Sequence, residues 1–274
     1  MAGNRRVEAA ASRRPIPVPA AVALAERVLA PWRWLTAPSV YGIENVPLDR
    51  PVMLAGNHTL MGLLDVPIML LELYDRLGMW PHPVGDHIHF SVPGWRDLLE
   101  AFGTIDGTRE RCRELMRAGE SILIFPGGAR EVFKRRGEQY RLLWDGRTGF
   151  ARLAIEHGYP IVPVSAVGAE ECYDILVDAG DLRRLIPPLR WIPRSDEAPP
   201  LVRGLGPTLL PRPQRFYFHF GTPVETRHLT GLEDHACGAV RDQVRAAVET
   251  GITFLLHARE RDPQRSLLQR LLAA

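Results

Sequence analysis

VMLAGNHTLMGLLD, residues 52–65, is the stretch from which the rest of the chain is read. The apolar run Val52-Met53-Leu54-Ala55 stops at Gly56-Asn57, His58 follows at once, and a second apolar segment begins near Leu63. That order reads as strand, tight turn, helix. The partial positive charge of a helix N-terminus disfavours imidazolium, so a histidine at such a junction stays neutral near pH 7 and can accept a proton. Most histidines are structural, and the turn by itself favours a residue that only caps it.

The same pattern recurs downstream. Residues 121–125, SILIF, form a second buried strand that runs into Pro126-Gly127-Gly128-Ala129-Arg130-Glu131. Adjacent glycines let a backbone approach a ligand closely, and Arg130 offers a planar fork of donors suited to phosphate or carboxylate. Residues 161–167, IVPVSAV, read as a third buried strand, and 215–220, RFYFHF, as a fourth. Helical patterns separate them: 63–77 closed by Gly78, 95–102, 108–118 closed by Gly119, and 148–157 closed by Gly158. Continuous apolar strands alternating with helices predict one α/β domain with a mostly parallel central sheet flanked by helices. Both glycine turns leave the C-terminal ends of strands, where open α/β sheets place their ligands.

With 274 residues and 46% apolar composition the chain can fill a sizeable core. Cys112, Cys172 and Cys237 are too few and too scattered for a disulfide framework, and no CxxC pair suggests zinc, so a reducing cytoplasmic setting is expected. The net charge of +2 conceals arginine-rich patches that suit phosphate or an anionic membrane surface, without a nucleic-acid signature. No run of about 18 apolar residues occurs, so the protein is expected to be soluble or to lie on a membrane.

Residues 1–19, with Arg5, Arg6, Arg13 and Arg14 among alanines and prolines, read as a disordered basic tail. Residues 20–40 are expected to hold an amphipathic membrane-surface helix that Pro31 ends or bends, with Trp32 and Trp34 flanking Arg33 at headgroup level; packing on the domain's own core is the alternative. The domain proper then covers 41–274, with an apolar, Pro- and Arg-rich irregular insertion at about 175–213. His87 and His89 are expected on one face of a strand; an HxH pair lacks a third ligand, so no metal is assigned. Lys134, Arg135, Arg136 and Arg141 lie in a polar stretch that either is solvated or meets the phosphates of a nucleotide-bearing donor.

In this order, NHxxxG after a strand, a GTI segment, FPGGARE after a strand and then IVPV resemble the four blocks of the PlsC-like glycerolipid acyltransferases. FPGGAREVFKRRGEQYRLLW, RFYFHFGTPVET and the ending ARERDPQRSLLQRLL look most like the branch with type 2 diacylglycerol acyltransferases and phytyl ester synthases. The resemblance spans roughly residues 45–270 and implies transfer of an acyl chain from a thioester, acyl-CoA or acyl carrier protein, to a lipid alcohol. No cofactor or covalent intermediate is implied, and the enzyme would lie peripherally on the cytoplasmic, inner face of a membrane. His58 would be the general base, with Asn57, Gly62, Phe125, Pro126, Gly127, Gly128, Arg130 and Pro163 lining the substrate site.

Two departures bear on that expectation. The superfamily motif is HxxxxD, whereas five places after His58 stands Leu63 and the first acid is Asp65. In a continuous helix His58 and Asp65 would lie about 10 Å apart along the axis, so contact requires a turn through Thr59 to Gly62. Glu131 is the alternative orienting carboxylate. The phosphate-acceptor enzymes carry FPEGTR, where this chain has Gly127 for the acid and Ala129 for the threonine. A neutral acceptor such as diacylglycerol, monoacylglycerol or a long-chain alcohol is therefore expected ahead of lysophospholipid or glycerol phosphate. A hydrolase working through the same histidine is the runner-up, and a silent lipid binder the third reading; the absence of GxSxG argues against a serine esterase.

Overall fold

The computed structural model describes residues 18–91, 94–185, 199–229 and 231–273; residues 1–17 of the expected tail and part of the insertion lie outside them. Nine strands are found among these residues: β1 Ser39–Tyr41, β2 Met53–Gly56, β3 His82–Gly85, β4 Ile105–Asp106, β5 Ile122–Ile124, β6 Ile161–Val167, β7 Asp174–Val177, β8 Leu201–Arg203 and β9 Tyr217–Phe220. The helices are α1 Val18–Thr36, α2 Val66–Leu77, α3 Trp95–Ala101, α4 Arg109–Arg117, α5 Ala129–Val132, α6 Gly149–His157, α7 Ala179–Leu185, α8 Asp234–Arg261 and α9 Leu267–Ala273.

Seven strands form one sheet in the order β1-β9-β6-β2-β5-β3-β4. Its pairs are parallel except β6 with β9, which run antiparallel. Alternate residues of each buried strand point to opposite faces, and the core divides accordingly. Met53, Ala55 and Ile161 pack with α4, α6 and α8, while Leu54, Val162 and Phe218 pack with α1 and α2. The mostly parallel sheet flanked by helices agrees with the pattern of apolar runs.

Four local expectations change. The α1 helix continues through Pro31 to Thr36. Trp32 turns inward, donating Nε1–H to Leu64 O at 3.0 Å and meeting Phe216 edge to face at 5.8 Å. Arg33 is bound by Glu72 and Asp75, so the only residue of that trio free to reach a lipid is Trp34, 64% exposed. His87 and His89 lie in a 3-10 turn, His87–Ser91, rather than on a strand face; His87 pairs with Asp86, and His89 Nδ1 accepts from Trp95 Nε1. The insertion is partly regular, since β7 and β8 pair antiparallel and α7 stands between them. Lys134 is buried in an ion pair with Glu170, so it is not a solvated phosphate ligand.

Candidate active site

Neighbouring strands bring the two glycine turns together. β2 and β5 run parallel in register Met53 to Ile122, Leu54 to Leu123 and Ala55 to Ile124, so the chain leaves both strands at the same sheet edge. His58 and Phe125 stand just beyond the two strand ends, and their rings stack with centroids 4.3 Å apart and planes 22° apart. The imidazole also lies against Gly62. A Cβ at position 62 would sit 2.4 Å from His58 Cε1, and Gly62 has φ +61, so only glycine fits both the space and the backbone.

The turn between His58 and α2 is not helical. Met61 and Gly62 both have positive φ, and Met61 N–H donates to Val132 O at 3.0 Å, tying the turn to α5. Asp65 is committed to this architecture: its Oδ1 accepts from Thr59 Oγ1 at 2.9 Å and from Val66 N–H at 3.0 Å, capping α2. Burial raises its carboxyl above the usual carboxylate range, against the hydrogen bonds that favour the anion. The turn through Thr59 to Gly62 does form, and Asp65 serves as a loop and cap residue.

Glu131 meets His58 through the main chain. Its Oε2 accepts from His58 N–H at 2.8 Å, and its Oε1 from Leu143 N–H at 2.8 Å. Gly127 makes this possible, because a Cβ there would fall 2.1 Å from Glu131 Cδ. The carboxylate thus occupies the room beside Gly127. Burial raises the Glu131 carboxyl, while Lys134 and the two backbone donors act in the opposite direction.

The imidazole itself is half-buried, and its Nδ1 is buried without a hydrogen-bond partner. Burial first, then the positive charge of Lys134 and the nearby His89, push the ring down to about 3, so it is neutral at pH 7. A neutral imidazole keeps one unprotonated ring nitrogen, which is what accepting a proton requires.

The other expected residues divide into fixed walls and framework. Asn57 commits its amide to β6, donating to Ala166 O at 3.0 Å and accepting from Ala166 N–H at 2.8 Å. Pro163 is a buried β6 residue opposite Ala55, its carbonyl accepting from Gly221 N–H at 2.8 Å. Pro126 and Gly127 are held by Arg147, whose Nη1 donates to their carbonyls at 3.1 and 2.6 Å. Gly128 adopts φ +51 with Arg147 Nη1 alongside. Arg130 donates to Glu138 Oε1 at 2.5 Å and keeps a second nitrogen, Nη1, buried and unpartnered.

Sequence reading missed Glu170 and placed Lys134 in solvent or on a phosphate, whereas the two form a buried ion pair. Lys134 sits in a stretch with no hydrophobic period, and only the acid pair Glu170-Glu171 close behind a fully buried strand hinted that something buried and cationic must face it.

Residues 37–167, which contain both turns and β6, match the family model described as Acyltransferase. Over 255 residues, 85% of the chain, it is 34% identical to phytyl ester synthase 1, chloroplastic, of Arabidopsis thaliana. Phytyl ester synthase 2 of the same plant is 31% identical over 254 residues, again 85% of the chain. In both cases the match covers 36% of the relative, so the chain spans little more than a third of their length. The human DGAT1/2-independent enzyme synthesizing storage lipids is 34% identical over 125 residues, 46% of this chain and 38% of that one. Among solved structures, the 1-acyl-sn-glycerophosphate acyltransferase PlsC of Thermotoga maritima aligns with TM-score 0.49 and 17% identity over 84% of this chain and 77% of that one. The NH and FPGGARE turns stand side by side at the C-terminal ends of β2 and β5, inside the region that matches the Acyltransferase family model.

Proposed function

We propose that this acyltransferase moves a fatty acyl chain from a thioester donor, acyl-CoA or acyl carrier protein, to a neutral lipid alcohol, with His58 as general base. The observation that carries the reading is the neutral imidazole placed where two adjacent strands end, stacked on Phe125. His58 takes the acceptor hydroxyl proton, the oxygen attacks the thioester carbonyl, and the carrier thiolate leaves and receives that proton. The products are an ester and a free thiol.

The choice of a neutral acceptor rests on the FPGGARE turn. Where the phosphate-acceptor enzymes carry an acid, Gly127 leaves room that Glu131 fills from within. The relatives' names, a phytyl ester synthase and an enzyme synthesizing storage lipids, agree with acceptors lacking a phosphate. In this reading Glu131 serves His58 through its main chain, and Phe125, Gly62 and the 126–128 turn shape the floor under the acyl group. Arg130, beside the 126–128 turn and paired with Glu138, stands toward the polar end of the donor. The enzyme works peripherally on a membrane's inner face, with Trp34 at headgroup level; among the described residues no helix is long and apolar enough to cross a membrane.

The test gives purified protein labelled acyl-CoA and extracted membrane lipids beside His58→Ala. New acyl lipid from wild type and none from His58→Ala is expected. Free fatty acid alone would indicate a hydrolase, lipid retention without turnover a binder, and undiminished transfer by His58→Ala would remove the base.

A further inference from the structure

Lys134 follows α5 closely and is 2% exposed, one of the largest fully buried side chains in the protein. A buried ammonium is costly unless paired and hydrogen-bonded. Its partner, Glu170, is 1% exposed and comes from the 3-10 turn Ala169–Cys172 behind β6. Glu170 Oε1 accepts from Lys134 Nζ, and Oε2 accepts from Tyr140 N–H at 2.8 Å, so both oxygens are occupied. A second Lys134 hydrogen goes to His58 O at 3.1 Å.

His58 is therefore gripped on both sides of its own Cα. Its N–H is held by a carboxylate, Glu131, and its C=O by an ammonium, Lys134, residues 73 and 76 positions away in sequence. Phe125 and Gly62 then crowd the ring. Burying an ion pair to hold one peptide unit does little for stability alone, since apolar replacements of both partners are often neutral or better. Such a pair is suited to fixing a geometry and a local charge.

We propose that Lys134, held by Glu170, is a positioning residue for His58. It fixes the carbonyl side of the base's peptide unit, keeps a positive charge next to the imidazole, and touches neither substrate. This rests on His58 being the base.

The test compares wild type, Glu170→Asp and Lys134→Met/Glu170→Gln in acyl transfer to extracted lipids, with His58 followed by side-chain nitrogen NMR across pH. The double variant carries no unpaired charge from this pair and so remains a fair probe of the folded protein. Glu170→Asp shortens the tether while keeping the charge. It should lower kcat with little change in the donor KM and leave the His58 titration in place. A displacement near 1 Å at a catalytic group costs about a hundredfold in rate, and the double variant is expected to approach that loss. It should also titrate His58 at higher pH than wild type, because a neighbouring positive charge has gone.

Folded variants with wild-type kcat and an unmoved His58 titration would overturn the proposal, as would a loss confined to KM. Transfer that survives His58→Ala would fail the base assignment instead. The NMR titration of the double variant would still report whether Lys134 acts on His58.

Discussion

Gly62→Ala isolates the slot that holds His58. The alanine Cβ would stand 2.4 Å from His58 Cε1 and 3.0 Å from both ring nitrogens, whereas ordinary contact begins near 3.4 Å, so the ring must retreat by about 1 Å. Phe125 stacks on the imidazole at 4.3 Å, and Glu131 and Lys134 hold the backbone, so the retreat is a tilt out of the slot. A displacement of that size costs about a hundredfold in rate, or close to 3 kcal/mol of barrier. The left-handed φ of +61 adds a stability cost of roughly 1–2 kcal/mol for a residue with a Cβ. Gly78 provides the control, because it has φ +66 and a Cβ added there would meet nothing within 4 Å. Both alanine variants should lose similar stability in urea titrations, and only Gly62→Ala should lose acyl transfer, read as kcat/KM with labelled acyl-CoA. Equal activity in the two folded variants would refute the packing argument for His58.

Gly127→Ala places a Cβ about 2 Å from the Glu131 side chain and should expel its carboxylate. The His58 and Leu143 N–H groups then lose their acceptor, at roughly 1–3 kcal/mol for each buried group left unpaired, readable as a lower urea midpoint with lower kcat. The His58 ring titrates at about 3 against an ordinary 6.5, so below 6.5 the unfolded chain binds a proton that the folded one refuses. Its contribution is complete above pH 6.5 and is lost as pH falls from there toward 3. Wild type should accordingly lose more stability than His58→Gln as the pH is lowered from neutral into that window, and parallel losses would contradict a neutral His58. For the membrane, Trp34→Ser should weaken sedimentation with anionic vesicles while Trp32→Phe, an inward-facing change, should not; unchanged sedimentation of Trp34→Ser would reject contact through that ring.

How far the site was legible follows the range of the forces involved. The two strand–turn junctions and most helix ends are local: an apolar run, a glycine that permits positive φ, and a capping side chain act within a few residues. Thr108 at the start of α4, Asp65 at the start of α2 and Gly158 at the end of α6 all sit at or near predicted boundaries. Lys134 and Trp32 escape such a reading for one reason. A side chain's burial depends on what another part of the chain brings to it, and a basic or interfacial residue looks the same in sequence whether solvent or a distant carboxylate or ring meets it.

An α/β chain with His58 and FPGGARE at the ends of apolar strands is legible in neighbouring residues, which carry strand period, glycine turns and helix stops. What surrounds the histidine comes from the packing of distant segments. Placing β2 beside β5 and β6 brings Glu131 to its N–H and Lys134 to its carbonyl. The same packing sets Asp65 at the cap of α2 and turns Trp32 into the core. Those partners lie far apart along the chain, and their pairing depends on which strands lie side by side, which local sequence pattern does not encode.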